Sequence, residues 1–181
     1  MEPILPKQIG TEEGKLLFQK SEEVKNIEEA VEIVKLLKKT LDSYGGVGLA
    51  APQIGISKKV FIVNIKPSER RPNLEKIGFR AYINPQIREF SQEINRDVEG
   101  CLSVFYATLY GEVGRPSHLK IEYLNTEGKR TIEEIVDPFH ARVVQHENDH
   151  LDGIIFLQRM EKEDFKTLYW NENLDIRENR S

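Results

Sequence analysis

The chain has 181 residues, 39% of them hydrophobic and 31% charged, with 26 Lys and Arg against 30 Asp and Glu and a net charge of −4. These values suit one globular domain with a sizeable core and exclude a disordered chain. With no basic excess and no apolar run longer than a few residues, neither direct nucleic-acid binding nor a membrane span is expected.

In chain order, Met1 to Pro6 has neither the basic start nor the long apolar stretch of a signal peptide. The single cysteine, Cys101, forms no internal disulfide, so a reducing, cytoplasmic compartment is expected; an organelle copy whose transit segment has been removed would read the same. Residues 1–25 lack a clear period, and Gly10 and Gly14 suggest a loop there. Asn26 is predicted to cap a helix in which Ile27, Ala30, Val31, Val34, Leu37 and Leu41 recur at helical spacing, until Gly45 stops it after Tyr44. Gly46 to Gln53 reads as a glycine-rich bend, and Val60 to Ile65 as a short buried strand. Ser68 to Asn73 reads as a charged loop, and Tyr82 to Asn84 as a strand closed by Pro85. Leu119, Ile121 and Tyr123 alternate with Lys120 and Glu122, Asn125 to Gly128 makes a turn, and Thr131 to Val136 returns, which predicts a hairpin. Asp137 as N-cap and Pro138 at the first helical position start a helix that runs to about Leu151 and ends at Gly153. Beyond Met160 the chain is mostly charged, with a short helix expected around Phe165 to Trp170. Strands grouped around one helix, without βαβ alternation or internal repeats, predict an α+β fold. A single domain over 1–181 is expected, with a core of about 24–160 and a charged tail over 161–181.

The predicted second helix carries Gln145-His146-Glu147-Asn148-Asp149-His150. His146 and His150 are one turn apart, so both imidazoles leave one face and can grip a single ion. Glu147 sits beside the first of them and can handle the protons of a water on that ion, the arrangement of H-E-x-x-H hydrolases. A catalytic site needs a third protein ligand and a position left open. His140 points to another face and His118 belongs to a predicted strand without supporting neighbours, so Cys101, after Glu99-Gly100 and before Leu102-Ser103, is the better candidate. A thiolate with two neutral imidazoles suits Fe(II), Zn(II), Co(II) or Ni(II).

Three segments together resemble the peptide deformylase family: Gly46-Val47-Gly48-Leu49-Ala50-Ala51-Pro52-Gln53, then Glu99-Gly100-Cys101-Leu102-Ser103, then Gln145-His146-Glu147-Asn148-Asp149-His150-Leu151. The family is marked by G-x-G-x-A-A-x-Q, E-G-C-x-S and an H-E-x-D-H helix in this order, and the likeness runs from about Gly45 to Met160. The resemblance implies short, mostly antiparallel sheets around a central metal-binding helix, with a second helix near the N-terminus. It implies Cys101, His146 and His150 as ligands of one divalent ion, Fe(II) natively, with zinc, nickel or cobalt as substitutes. The implied reaction removes the formyl group of N-formylmethionine from new polypeptides and releases formate, with Glu147 as general base and acid. Gln53 and the backbone N–H of Leu102 would stabilise the oxyanion. Gly46 and Gly48 would leave room for a peptide beside a strand edge. Val47, Leu102, Val143 and the His146 ring would line a methionine pocket. The family pairing of the helix aspartate with an arginine suggests Asp149 with Arg115, in a supporting role. Formylated nascent chains are the implied partners, met near the ribosome exit tunnel.

The sequence departs from the family after Ser103. Val104 is followed by Phe105 where proline is usual, the loop to Arg115 is longer, and Tyr110 stands where an arginine is common. Gly10 to Leu17 replaces the usual D-P-x-L start. None of these positions is a predicted ligand, and the altered loop bears on peptide preference. Two other readings keep the metal site: a hydrolase for a different formyl compound or a peptide bond, and a metal-dependent binding protein. Glu147 and Gln53 speak against the second, since a purely structural site needs neither.

Overall fold

The structure is a computed structural model that describes residues 2–67 and 76–171. The expected charged loop at Ser68 to Asn73 and the end of the charged tail, 172–181, lie outside the described residues. The first helix, α1, spans Ile27–Tyr44, and the Asn26 carboxamide oxygen accepts the backbone N–H groups of Glu28 and Glu29. Gly45 closes it with φ +78°, a left-handed conformation that glycine adopts without a Cβ penalty. Its apolar stripe, Ala30, Val34, Leu37 and Leu41, is buried.

The strands are β1 Gly48–Ala50, β2 Val60–Ile65, β3 Gly78–Phe90, β4 Ile94–Gly100, β5 Leu109–Pro116, β6 Leu119–Leu124, β7 Arg130–Ile135 and β8 Tyr169–Trp170. They pair antiparallel in two sheets, one ordered β1-β2-β3-β6-β7 and the other β4-β5-β8. With α1 this makes the α+β architecture that the sequence predicts, and the β6–β7 hairpin falls where the alternation places it.

The nearly continuous apolar run of β2 is explained by cover on both faces. Ile62 and Val60 pack with Leu37 and Leu49 under α1, whereas Phe61 and Val63 pack with Val144 and Ala141 of the second helix, α2, Pro138–Leu151. The Asp137 carboxylate caps α2 by accepting the His140 backbone N–H at 2.6 Å, with Pro138 at its first position. One side of α2 rests on β1 and β2 and another on β5, so ten of its fourteen residues are buried. Polar side chains on α2 are thereby taken out of water.

Three expectations are corrected. Pro85 does not close β3, which continues to Phe90; the ladder shifts register between Ile83 and Gln86. Asn84, at φ 48°, forms the irregular step, and its carboxamide clamps both backbone groups of Val24 at 2.8 Å. A bulge is one of the few places where proline fits a strand, because no ladder bond is asked of it there. The segment around Gly10 and Gly14 holds a short 3-10 helix, Glu13–Phe18, and not only a loop. The helix expected over Phe165 to Trp170 is a 3-10 helix, Lys162–Thr167, followed by strand β8 on the edge of β5.

Candidate metal centre and active site

β4 ends at Gly100, which delivers Cys101 to the turn above α2, where His146 and His150 leave one helical face. Among the described residues, Cys101, His146 and His150 form the one group of three or more metal-type side chains, with ligand atoms all within 4.8 Å of one another. Cys101 Sγ lies 3.3 Å from His150 Nε2. His146 turns its Nδ1 to Glu99 Oε2 at 2.9 Å, which leaves Nε2 for the cluster. The other histidines stay outside it, as expected: His140 is buried, with its Nε2 3.1 Å from the Tyr82 hydroxyl, and His118 is half-buried in the connection between β5 and β6.

Glu99 is the organising anion. It accepts Arg115 Nε at 2.6 Å and Nη2 at 3.0 Å, Arg142 Nη1 at 2.6 Å, and the His146 ring. Arg115 also donates Nη1 to Asp149 Oδ2 at 2.8 Å, and Arg159 adds two bonds to the same carboxylate. The Asp149–Arg115 pair therefore falls where the sequence suggests, within a larger buried network. Burial works against charging Glu99, but the Arg115 guanidinium and the His146 hydrogen bond hold its carboxyl far below the usual range. Burial, then the charges of His146 and Arg115, push the His150 pKa well down, which favours the neutral imidazole that a metal ligand needs. Burial also disfavours charging His146, yet hydrogen bonds with Cys101 and Glu99 raise its pKa well above the ordinary value. A sulfur and a carboxylate thus favour positive charge at this ring, which a divalent cation would supply. The donor set fits such an ion.

Glu147 is pushed up to about 7 by burial, with Glu99 adding and His146 and Arg115 opposing. Its Oε2 is buried and has no hydrogen-bond partner within the described residues. A Cβ on Gly48 would meet Glu147 Oε1 at 2.5 Å, so the absence of a side chain there is what lets the carboxylate lie against β1. Gly48→Ala is expected to displace this carboxylate and lower turnover roughly 100-fold, as an ångström-scale misplacement does. Unchanged bound metal in elemental analysis would separate that loss from damage to the ligands.

Gln53 sits on the 3-10 turn Ala51–Ile54; its Oε1 accepts the Ala50 N–H at 2.8 Å, which aims Nε2 at Cys101 Sγ, 3.5 Å away, and Ser103 Oγ, 3.3 Å away. A cavity of about 650 Å³ opens beside the cluster. Its lining includes Gly46, Val47, Gly48, Gln53, Cys101, Leu102, Val143, His146 and Glu147. Gly100 makes room for the Tyr110 ring, into which a Cβ would run, and Tyr110 also borders the cavity. Glu99 and Arg142 carry roles that the sequence reading did not assign. The usable signal was Arg142, one turn before His146 on the same helix face, a cation needing a buried anion.

A model of the polypeptide deformylase family matches residues 6–166. The peptide deformylase of Natranaerobius thermophilus is 40% identical over 159 residues, 86% of this chain and 93% of the relative. That of Treponema pallidum is 39% identical over 143 residues, 78% of this chain and 80% of the relative. A solved class I type b peptide deformylase from Acinetobacter baumannii, with Met-Ala-Ser bound, superposes at a TM-score of 0.77 with 35% identity, over 88% of this chain and 100% of that one. The peptide deformylase of Thermotoga maritima gives 0.77 at 31% identity, over 89% and 99%. Sequence and fold agree over nearly the whole described chain, and the chain belongs to the peptide deformylase family of hydrolases.

Proposed function

We propose that this chain hydrolyses the formyl group from the N-terminal formylmethionine of newly made polypeptides, with one divalent cation held by Cys101, His146 and His150. The observation that carries the reading is the convergence of these three side chains beside an unpartnered, buried Glu147 carboxylate. Fe(II) is the ion expected in the cell, with zinc, nickel or cobalt as substitutes, and α2 is the metal-binding helix at the centre of the fold. Bound there, the cation supplies Lewis acidity, which acidifies water and polarises the formyl carbonyl.

The protein's own residues do the rest. Glu147 takes the proton of the attacking water on its free Oε2 and delivers it to the amine nitrogen as the carbon–nitrogen bond breaks, leaving formate and a free N-terminus. A carboxyl raised to about 7 is suited to both directions of that transfer. Gln53 Nε2 and the Leu102 N–H donate to the formyl oxygen as it gains charge. Val47, Leu102, Val143 and the His146 ring enclose the methionine side chain. β1 and β4 are edge strands, one in each sheet, and Gly48, Val98 and Gly100 border the same cavity. An extended peptide entering past Gly46 and Gly48 adds its backbone to these open edges. The Met-Ala-Ser peptide bound to the Acinetobacter relative is of the product class that such a slot accommodates. Nascent chains place the enzyme in the cytoplasm, near the ribosome exit tunnel.

The test is formate release from a short formyl-Met peptide by protein purified without oxygen and loaded with Fe(II) or Ni(II). A longer unformylated peptide serves as the protease control. Formate with an intact control peptide is expected. Metal-replete protein that releases none overturns the reading and turns attention to other formyl compounds, since Tyr110 alters the cavity's rim.

A further inference from the structure

We propose that Gln8 is a positioning residue for the metal-site sulfur, fixing the Leu102–Ser103 peptide plane so that its N–H donates to Cys101 Sγ. The inference rests on the reading of Cys101 as a ligand. Gln8 is a polar side chain only 7% exposed, and every arm of its carboxamide is engaged. Its Nε2 donates to Leu102 O at 2.8 Å and to Pro6 O at 2.9 Å, and its Oε1 accepts the Tyr106 N–H at 2.9 Å. The flanking backbone follows the same course: Lys7 N donates to Gln53 O at 2.8 Å and Ile9 N to Ser103 O at 3.0 Å. Residues 7–9 thus clasp the two segments that place donors around the sulfur.

A peptide unit is planar, with its carbonyl and N–H pointing in opposite directions, so holding one end aims the other. The unit held by Gln8 at Leu102 O ends in the Ser103 N–H, which lies 3.4 Å from Cys101 Sγ. The clasp is needed because the next residues are strained. Phe105, Tyr106 and Ala107 have φ values of 47°, 57° and 63°, three successive non-glycine residues in the left-handed region. Such a turn persists only where its surroundings over-determine it, and Gln8 Oε1 holds its middle N–H. Without the carboxamide, the buried Leu102 carbonyl loses its donor, and relaxation rotates the 102–103 plane off the sulfur. Hydrogen bonds to a ligating thiolate draw charge from it and tune both metal affinity and electronic structure.

The test replaces Gln8 by methionine, which keeps length and volume but neither donates nor accepts as an amide does. In Co(II)-loaded protein the sulfur-to-cobalt charge-transfer band is expected to move to lower energy, and cobalt affinity to fall about tenfold. Ile4→Ala trims the same N-terminal segment, whose Ile4 N–H donates to Thr40 Oγ1 on α1, while leaving the hydrogen bonds of Gln8 in place, and is expected to leave the band where it is. A folded Gln8→Met protein with an unmoved band and unchanged affinity overturns the proposal, as does an equal shift in Ile4→Ala. If Gln8→Met does not fold, the unmutated protein decides: loaded with NMR-active cadmium, it should show scalar coupling from the metal to the Ser103 amide proton through the sulfur, and absence of that coupling overturns the proposal. Unmutated protein with no sulfur-to-cobalt band at all would instead refute Cys101 as a ligand.

Discussion

Replacing Glu147 by alanine is expected to cut formate release by about 10²–10⁴-fold while bound metal stays at the wild-type level. The proposed ligand atoms come from Cys101, His146 and His150, so removing the carboxylate would leave the cation's donors in place. What would be lost is the group proposed to carry the proton from water to the departing amine. Glu147 is also a buried carboxyl with an unpartnered oxygen, a costly arrangement for the fold. Glu147→Gln, which keeps the volume without the charge, is therefore expected to melt higher than the wild type while being nearly inactive. Steady-state kinetics, elemental analysis and a thermal melt on the same preparations check all three statements. Turnover of Glu147→Ala at the wild-type rate would remove Glu147 from the chemistry.

Cys101→Ser is expected to abolish metal retention at physiological pH. A serine hydroxyl stays protonated where a thiolate beside a cation does not, and it is a poor match for the ions that suit a sulfur and two imidazoles. The substitution is nearly isosteric at a buried position, so the fold should survive it with a loss of about 1 kcal/mol. Elemental analysis after desalting is the deciding measurement. Full occupancy would strike Cys101 from the ligands and leave the two histidines seeking a third partner elsewhere.

How much of the site was legible depended on how far apart its parts lie in the chain. His146, Glu147 and His150 are within one turn and a half of helix, so their common face follows from helical geometry alone. Cys101 lies 45 residues before His146, and no periodicity joins them. It stood out as the lone cysteine after Glu99-Gly100, the family resemblance then implied it as a ligand, and the convergence within 4.8 Å came from the fold. Glu99 was visible as part of a motif, but its work on Arg115, Arg142 and His146 was not, because three of its partners come from two other elements. Strands β4 and β5 escaped the reading for a related reason. The buried face of β5 is Leu109, Gly111, Val113 and Arg115, where glycine and arginine break the apolar alternation that marks a half-buried strand.

The sequence by itself determined what depends on neighbours along the chain. Asn26 and Gly45 bound α1, Asp137 and Pro138 start α2, and the alternation around Asn125 to Gly128 makes the hairpin, each through local hydrogen bonds and backbone preferences. Tertiary structure decided what depends on enclosure. Covering α2 by two sheets places Glu99, Arg115 and Asp149 where water cannot screen them, so their pairing becomes obligatory, and the same burial shifts both histidines of the cluster. It also decided which glycines matter and why: Gly48 yields its side-chain space to Glu147, and Gly100 yields its own to Tyr110. The N-terminal residues 7–9, which have no readable period, acquire their role only when the fold lays them across Gln53 and Leu102, because hydrogen bonds between segments this distant leave no trace in local sequence.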